Sequence, residues 1–264
     1  VMTLLAVAFL FPIFLVLMNS FKNKLYISDA PFALPNSDTF SGMYNYVNGI
    51  QKTGLLVAAG RSAFITICSV IVIVLLTSMA AWWITRVTCK LSTVLYYLFV
   101  FAMIVPFQMV MFTLSKVTDF LHLGNMFGII PVYLGFGAGL SLFMFCGFIK
   151  AIPISLEEAA MIDGCTPVQT YFKVIVPMLR PTMITVAILN AMWIWNDYLL
   201  PTLVLDSEKP TIPMAVQYLR GGYGSIDMGA MMAMLVLAIL PIIVFYLTCQ
   251  KYIIKGVAAG AVKG

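Results

Sequence analysis

Charged residues are scarce in this chain. Asp, Glu, Lys and Arg make up only 9% of its 264 residues, whereas they make up about a quarter of an average soluble globular protein. Hydrophobic residues account for 62%, and the mean hydropathy is +1.03. This composition excludes an ordinary soluble domain and indicates an integral membrane protein.

The residues and motifs of common catalytic and metal sites are also missing. The sequence has one histidine, His122, and it contains no C-x-x-C pair, no H-E-x-x-H motif and no G-x-x-x-x-G-K-[ST] loop. A histidine metal cluster or a Ser–His–Asp triad therefore has almost nothing to be built from, and ATP hydrolysis through a P-loop is not expected. We expect no catalytic residue, no metal site and no cofactor bound by this chain.

Long apolar runs occupy most of the sequence. A helix needs about 20 residues to cross about 30 Å of hydrocarbon. Six runs approach or exceed that length, at 1–18, 62–84, 91–113, 127–149, 182–204 and 228–250. We therefore predict an all-α integral membrane protein with six transmembrane helices, forming a single domain over residues 1–264. The first run opens without a polar flank, so we expect the native chain to begin earlier.

The distribution of Lys and Arg predicts the orientation. If both termini are cytoplasmic, the inner segments 85–90, 150–181 and 251–264 carry eight of the 15 bases in 52 positions. The outer segments 19–61, 114–126 and 205–227, the second of which holds His122, carry seven in 79. Because cytoplasmic segments are enriched in bases, this distribution favours cytoplasmic termini. The net charge of +5 needs no nucleic-acid partner, since bases flank the spans of any such protein. None of the five cysteines lies in an outer segment, so no disulfide framework is expected.

The inner segment 150–181 is too polar and too broken to span the membrane, and its pattern predicts two short helices. We predict that Ser155 caps the first helix in a capping box with Glu158. Gly164 is placed to end that helix, because the residue after a C-cap often needs a positive φ.

The second short helix is predicted to begin at Thr166 and Pro167. Threonine is a favourable N-cap, and proline at the first helical position loses no hydrogen bond. We predict that Pro177 and Pro181 end this helix and lead into the fifth span.

Two interpretations remain open for the acids of the first short helix, Glu157, Glu158 and Asp163. They belong either to a solvated, well-capped loop or to a helix that docks onto a partner. Ala159 and Ala160 favour docking, because small side chains allow close approach. So much ordered structure is also unusual in a simple connection.

The fifth predicted span holds the most polar and aromatic stretch within any span, NAMWIWNDYLLP. Asn190, Trp193 and Asp197 share one helical face, with Asn196 beside them. An ionised carboxylate at the centre of a span costs about 2.5–3.5 kcal/mol, so it is expected to face a polar cavity. This pattern predicts a path for a neutral, hydroxyl-rich solute. Alternatively, Asn196 and Asp197 lie near the outer helix end and cap or pair locally.

The third predicted span contains Pro106 and Gln108. We predict that the proline kinks the helix and that Gln108 places an amide in its interior, which makes Gln108 a further candidate for the path. A purely structural role is the favoured interpretation, because neighbouring helices can satisfy the backbone groups that a proline frees.

The stretch EEAAMIDGCTPVQTYFKVIVPMLRP resembles the EAA signature of permease subunits of ATP-binding-cassette (ABC) importers, roughly E-A-A-x-x-D-G followed by hydrophobic residues and prolines. The matching positions are Glu158, Ala159, Ala160, Asp163, Gly164, Phe172, Ile175, Pro177 and Pro181. Cys165 stands where alanine is commoner, which is one small residue for another.

Other stretches are similar to the carbohydrate branch of these permeases, of the maltose type. They are MNSFK at 18–22, NY at 45–46, IVPFQ at 104–108, WND at 195–197 and QKYIIKGVAAGAVKG at 250–264. Thr113 departs from the pattern, since many relatives have a proline nearby.

The resemblance implies a type I ABC importer fold with a cytoplasmic coupling helix, in the cell membrane of a bacterium or archaeon. It implies a second homologous permease, two cytosolic ATPase subunits that bind ATP and Mg, and an extracellular solute-binding protein that delivers a sugar. The chain itself is then a non-catalytic subunit. The residues implied in coupling to the ATPase are Glu157, Glu158, Ala159, Ala160, Asp163 and Gly164.

Two alternatives stay open. An importer of the same type for a non-sugar solute, such as a polyamine or a phosphate ester, would call for more charge along the path. An ion-coupled secondary carrier would make Asp197 the coupling acid, but the predicted spans contain no other ionisable residue that counts toward such a mechanism.

Overall fold

The computed structural model describes residues 1–206, 208–219 and 227–261, with side chains up to residue 251. Within these ranges the regular elements are helices, and β pairing is confined to an isolated bridge between Lys22 and Phe40. The helices are α1 (Met2–Asn19), α2 (Lys24–Asp29), α3 (Tyr44–Thr53), α4 (Leu55–Arg86), α5 (Lys90–Ile104), α6 (Phe107–Phe120), α7 (Ile129–Ile149), α8 (Ser155–Ile162), α9 (Pro167–Thr170), α10 (Val176–Asn196), α11 (Leu199–Val204), α12 (Ile212–Tyr218) and α13 (Met228–Ala261), with a π-helical turn (Tyr171–Ile175) between α9 and α10.

Five helical stretches of the described chain are long and apolar enough to cross a membrane, and the bent pair α5–α6 brings the number to six. The predicted six-span, all-α architecture is therefore confirmed with the bent pair counted as one span. The five stretches are Met2–Asn19, Leu55–Arg86, Ile129–Ile149, Pro167–Asn196 and Met228–Lys251.

The third span is broken at Pro106. The axes of α5 and α6 differ by 106°, so the predicted kink is confirmed but a continuous span over 91–113 is wrong. Val105 is extended, with φ −69° and ψ 119°, because proline disfavours α-helical geometry in the residue before it. The break places Gln108 in the first turn of α6 with its side chain exposed, so the prediction of an amide in a helix interior is also wrong.

The chain divides into two compact units, of which the first comprises Val1–Ala63, Asp197–Thr202 and Asp206–Leu247. Asn45 fixes the connection after α1, because its amide Nδ2 donates to the carbonyls of Ser20 and Lys22 at 2.8 Å each. The Ser20 and Tyr46 hydroxyls are 2.7 Å apart. The segment between α1 and α3 thus contains a buried polar cluster.

The second unit comprises Phe64–Asn196, Leu203–Leu205 and Thr248–Gly264. Helix α7 is central, since it packs against both α5 and α10. At Gly139 a β-carbon would lie 2.8 Å from the carbonyl oxygen of Phe99, so glycine permits the close approach of α5. The buried core continues from α7 into the π-helical turn and the start of α10.

Candidate functional site

Helix α8 begins one residue earlier than the sequence predicts. Ile154 is the N-cap and already has helical backbone angles, with φ −64° and ψ −27°. Ser155 is therefore the first helical residue, and no side chain caps the helix. The predicted capping box between Ser155 and Glu158 is wrong. The first turn still holds two acids, Glu157 and Glu158, which the positive end of the helix dipole stabilises.

The predicted end of α8 at Gly164 is confirmed. Gly164 has φ +84°, a conformation that glycine adopts without steric cost. The N–H of Gly164 donates to the carbonyl of Met161 at 3.0 Å, and the N–H of Cys165 donates to that of Ala160 at 2.9 Å. These two bonds form a Schellman motif, which satisfies the last carbonyls of the helix and fixes the direction of the following chain.

Glu157 attaches α8 to the end of α4. Its side chain is buried, with 3% of the residue exposed. Its Oε1 accepts from Arg86 Nε at 2.7 Å and also lies 2.7 Å from Arg86 Nη2. Its Oε2 accepts from Trp82 Nε1 at 2.9 Å. Arg86 Nη2 donates further to the carbonyl of Ile152 at 2.9 Å, so one guanidinium contacts both α8 and the chain that leads into it.

The ion pair is largely shielded from solvent, because the side chains of Arg86 and Glu157 are only 16% and 4% exposed. Each partner also makes a further hydrogen bond, Glu157 with Trp82 and Arg86 with the Ile152 carbonyl. Removing one partner of such a pair leaves a buried charge without compensation, which typically costs about 3–5 kcal/mol. The pair therefore fixes the position of α8 relative to α4.

The outward face of α8 combines small, acidic and apolar residues. Glu158 and Ala159 are exposed, and so are Met161 and Ile162, the latter to 86%. Met161 and Ile162 were not among the site residues predicted from the sequence. The available signal was two large apolar side chains in a polar segment outside the spans, where such exposure marks an interaction surface.

The second short helix starts as predicted. The Thr166 hydroxyl accepts from the Gln169 N–H at 3.3 Å, the Gln169 side chain accepts from the Thr166 N–H at 2.9 Å, and Pro167 is at the first position. Its predicted end at Pro177 and Pro181 is wrong. Helical structure continues from Pro167 to Asn196, with Pro181 inside α10. Compared with the predicted range 182–204, the fifth span therefore begins earlier, at Pro167, and ends earlier, at Asn196.

The π-helical turn joins α9 to α10 and is held by Tyr171. This side chain is buried, and its hydroxyl lies 2.7 Å from the Ser78 hydroxyl of α4. Its ring centroid is 5.5 Å from that of Trp82. Because Trp82 also donates to Glu157, one indole contacts both the anchor of α8 and the start of the fifth span.

The candidate path residues of the fifth span occupy different environments. Asn190 is buried, and its Nδ2 donates to Ser141 Oγ at 3.1 Å and to the Val186 carbonyl at 2.9 Å. Trp193 is 39% exposed, and its ring meets that of Tyr133 edge-on at 5.5 Å. Asn190 thus joins α10 to α7, whereas Trp193 presents part of an aromatic surface.

Asp197 does not lie on the helix that carries Asn190 and Trp193. Helix α10 ends at Asn196, whose side chain is exposed and donates to the Met192 carbonyl at 2.8 Å. Asp197 Oδ1 accepts from the N–H groups of Leu199 and Leu200 at 3.0 and 3.4 Å. The predicted shared face is therefore wrong for Asp197. The alternative interpretation, local capping near the helix end, describes its contacts.

Comparison with known proteins identifies the class. Residues 73–259 match the family described as the binding-protein-dependent transport system inner membrane component. The chain belongs to this family. It is 38% identical over 260 residues to the probable starch degradation products transport system permease protein AmyC of Thermoanaerobacterium thermosulfurigenes, covering 98% of this chain and 93% of AmyC. It is 37% identical over 267 residues to the multiple sugar-binding transport system permease protein MsmG of Streptococcus mutans, covering 99% of this chain and 95% of MsmG.

The fold of this family member is similar to a chain in the crystal structure of a bacterial ABC transporter involved in the import of the acidic polysaccharide alginate. The TM-score is 0.78 at 22% identity, with 95% of this chain and 93% of that chain covered. The predicted type I ABC importer permease fold is thereby confirmed. As a binding-protein-dependent permease, the chain is a multi-pass inner-membrane component of a system that also contains an ATPase and a binding protein.

Proposed function

We propose that this chain is one of two permease subunits of an ABC importer for a sugar or oligosaccharide, with both termini in the cytoplasm. The assignment to sugars is supported by full-length similarity to relatives whose names refer to starch degradation products and to multiple sugars. The orientation is supported by the excess of Lys and Arg in the segments that include α8 and the end of α4.

The observation that carries the proposal is the combination of an exposed face and a buried anchor in α8. Met161, Ile162 and Glu158 face outward, and Glu157 is bound to Arg86. In our proposal the outward face lies in a groove of a cytosolic ATPase subunit, and Ala159 permits close seating. The six residues implied in coupling therefore have three different roles. The docking surface contains Glu158, Ala159, Asp163 and Gly164. Glu157 attaches α8 to α4, and the buried Ala160 packs behind the docking surface.

Movement of α8 would reach the spans by two routes. The first runs through the Glu157–Arg86 ion pair into the end of α4. The second runs through α9 and the π-helical turn into α10, where Tyr171 is bonded to Ser78. A buried ion pair and a Schellman end make α8 rigid relative to the spans, and rigid elements that move as units are a common basis of coupling between sites.

We assign the sugar-facing part of α10 to Trp193, supported from behind by Tyr133. Aromatic faces suit the apolar faces of sugar rings, and a neutral path suits an uncharged solute. Asn190 orients this surface through its bonds to α7 and has no direct role in binding. Asn196 and Gln108 are exposed and remain candidates for hydroxyl contacts, whereas Asp197 caps α11.

The chemistry of ATP is assigned to partners. The sequence contains no P-loop motif, so in our proposal two cytosolic ATPase subunits bind ATP and Mg and this chain is non-catalytic. A second permease completes the path, and an extracellular solute-binding protein delivers the sugar.

Reconstitution tests the proposal. The chain is co-expressed with a permease, ATPase subunits and a binding protein encoded in the same genome, and uptake of labelled maltooligosaccharides, raffinose and xylooligosaccharides is measured in proteoliposomes. We expect uptake of at least one sugar that requires both ATP and the binding protein. Uptake driven by an ion gradient without ATPase subunits, or uptake of only polyamines or phosphate esters, would contradict the assignment.

A further inference from the structure

A cavity of about 720 Å³ opens in the second unit where α4, α5 and α7 come together. Its walls include the segment that joins α4 to α5, the first turns of α5 and the C-terminal end of α7. Arg86, which binds Glu157 of α8, ends the same helix α4. That these helix ends face the cytoplasm is part of the proposed function, and the inference rests on the proposed function for this point alone.

The charge of the cavity is positive. The side chains of Lys90 and Lys150 line it, and its walls, all within the described chain, contain no carboxylate. The ammonium of Lys150 lies 5.5 Å from the ring centroid of Tyr96, which is a cation–π distance. This contact holds one charge at the cavity wall.

The start of α5 adds to the positive potential. Cys89 is the N-cap of this 15-residue helix, and the hydrogen bond that its sulfur accepts from the Ser92 N–H at 3.4 Å lowers the pKa of its thiol. Negative charge is thus favoured beside this helix end, as the helix dipole requires.

An apolar track leads away from the cavity along α5. Leu91, Val94, Leu98 and Phe101 are exposed and follow one another at helical spacing on one face. Val94 belongs to both the track and the cavity wall. Tyr97, also exposed and lining the cavity, has the amphipathic side chain that is typical of the membrane–water boundary.

We propose that this cavity binds the headgroup of an anionic phospholipid of the inner leaflet, with an acyl chain along the exposed face of α5. A phosphate between Lys90 and Lys150 would be held by two charges at the headgroup level, as in other basic pockets between membrane helices. A soluble phosphate compound would use the charges but leave the track of α5 without a ligand. The combination of charge and track therefore favours a lipid.

Native mass spectrometry of the full transporter complex tests the proposal. Complexes are exchanged from neutral phosphatidylcholine into mixtures that contain phosphatidylglycerol, and the retained lipids are counted. We expect the wild type to retain phosphatidylglycerol preferentially. The variant Lys90→Gln/Lys150→Gln is expected to lose roughly tenfold in affinity, because each lysine near a membrane surface contributes a several-fold effect. The matched variant Lys116→Gln/Lys209→Gln, which removes two lysines outside the cavity, is expected to bind as the wild type does.

Three outcomes overturn the proposal: equal retention of neutral and anionic lipid, equal loss in both double variants, or displacement of bound phosphatidylglycerol by millimolar glycerol phosphate. A Leu98→Asn/Phe101→Asn variant tests the track separately and is expected to weaken lipid retention without changing the lysines. These measurements use neither ATP nor sugar. A failure of the lipid site is thus distinct from a failure of sugar import, which is read from uptake.

Discussion

Arg86 and Glu157 lie 71 residues apart in the sequence, yet the Nε atom of one donates to the carboxylate of the other at 2.7 Å. Arg86 ends a 32-residue membrane helix, and Glu157 lies in the first turn of the short helix α8. In the function we propose, α8 transmits movement from an ATPase subunit to the spans. Together with the hydrogen bond from Trp82 to Glu157, this ion pair connects α8 directly to the span α4.

Glu157→Gln should therefore destabilise the complex, while Glu158→Gln, an identical change at the exposed neighbouring position, should not. The glutamine leaves Arg86 buried without a counter-charge, which costs about 3 kcal/mol. Thermal unfolding of the solubilised complex measures the difference. Adding Arg86→Gln to Glu157→Gln should recover part of the loss, and a double variant less stable than either single variant would contradict a direct ion pair.

Gly164→Ala should loosen the end of α8. A β-carbon at φ +84° costs about 1 kcal/mol or somewhat more, and we expect reduced sugar uptake per ATP hydrolysed as the Schellman turn weakens. The control is Gly147→Ala, inside α7, where a β-carbon meets no atom within 4 Å and alanine favours the helix. Equal coupling in the two variants would show that the turn at Gly164 has no mechanical role.

Trp193→Ala should raise the KM for sugar uptake about tenfold or more, because an aromatic contact with the solute is lost. Trp83→Ala is the matched control, since both tryptophans are 39% exposed and Trp83 lies in α4 instead. Trp193→Phe should retain much of the affinity. A KM that changes equally in the two alanine variants would exclude Trp193 from the sugar path.

The stability of the first unit should fall in acid through Asp227. Burial raises the pKa of this carboxyl, but hydrogen bonds from Lys52, the Ala230 N–H and Asn48 outweigh burial, so the pKa lies below its ordinary value. A carboxyl whose pKa is lowered by folding contributes stability above its unfolded pKa, near 4, and that stability is lost as the pH falls through the folded pKa.

Asp227→Asn should accordingly lower the stability at pH 7 and flatten its dependence on pH below about 4. Thermal unfolding of wild type and variant between pH 3 and 7 measures both effects, with Asp38→Asn, an exposed acid in the first unit, as the control. A wild-type stability that rises in acid would contradict the assignment.

Local chemistry made the end of α8 and the start of α9 predictable from the sequence, whereas the predicted capping box at the start of α8 was wrong. The positive φ of Gly164 and the capping box of Thr166 depend on residues within a few positions. The anchor could not be predicted in this way, because Glu157 meets its partner only after α4 and α8 have packed. The usable signal was weak: Arg86 and Glu157 have opposite charges and belong to segments predicted on the same side of the membrane.

The prolines show a second limit. Pro106 breaks the third span completely, whereas Pro181 lies inside a continuous α10. A membrane helix tolerates a proline when neighbouring groups satisfy the freed backbone. The outcome therefore depends on packing that a single sequence does not specify. The same holds for Asn190, whose polarity indicated a path although its amide is bonded to α7.

The exposed face of α8 provides the most direct test of the whole account. Ile162→Asp places a charge at the most exposed apolar position of α8, and His122→Asp adds the same group in the predicted outer loop. Sugar uptake and co-purification of the ATPase subunits are measured for both complexes in proteoliposomes. We predict that Ile162→Asp loses at least tenfold in ATPase association and in uptake, as at a central interface residue, while His122→Asp retains both. Full association and uptake with Ile162→Asp would contradict the claim that α8 couples this permease to its ATPase.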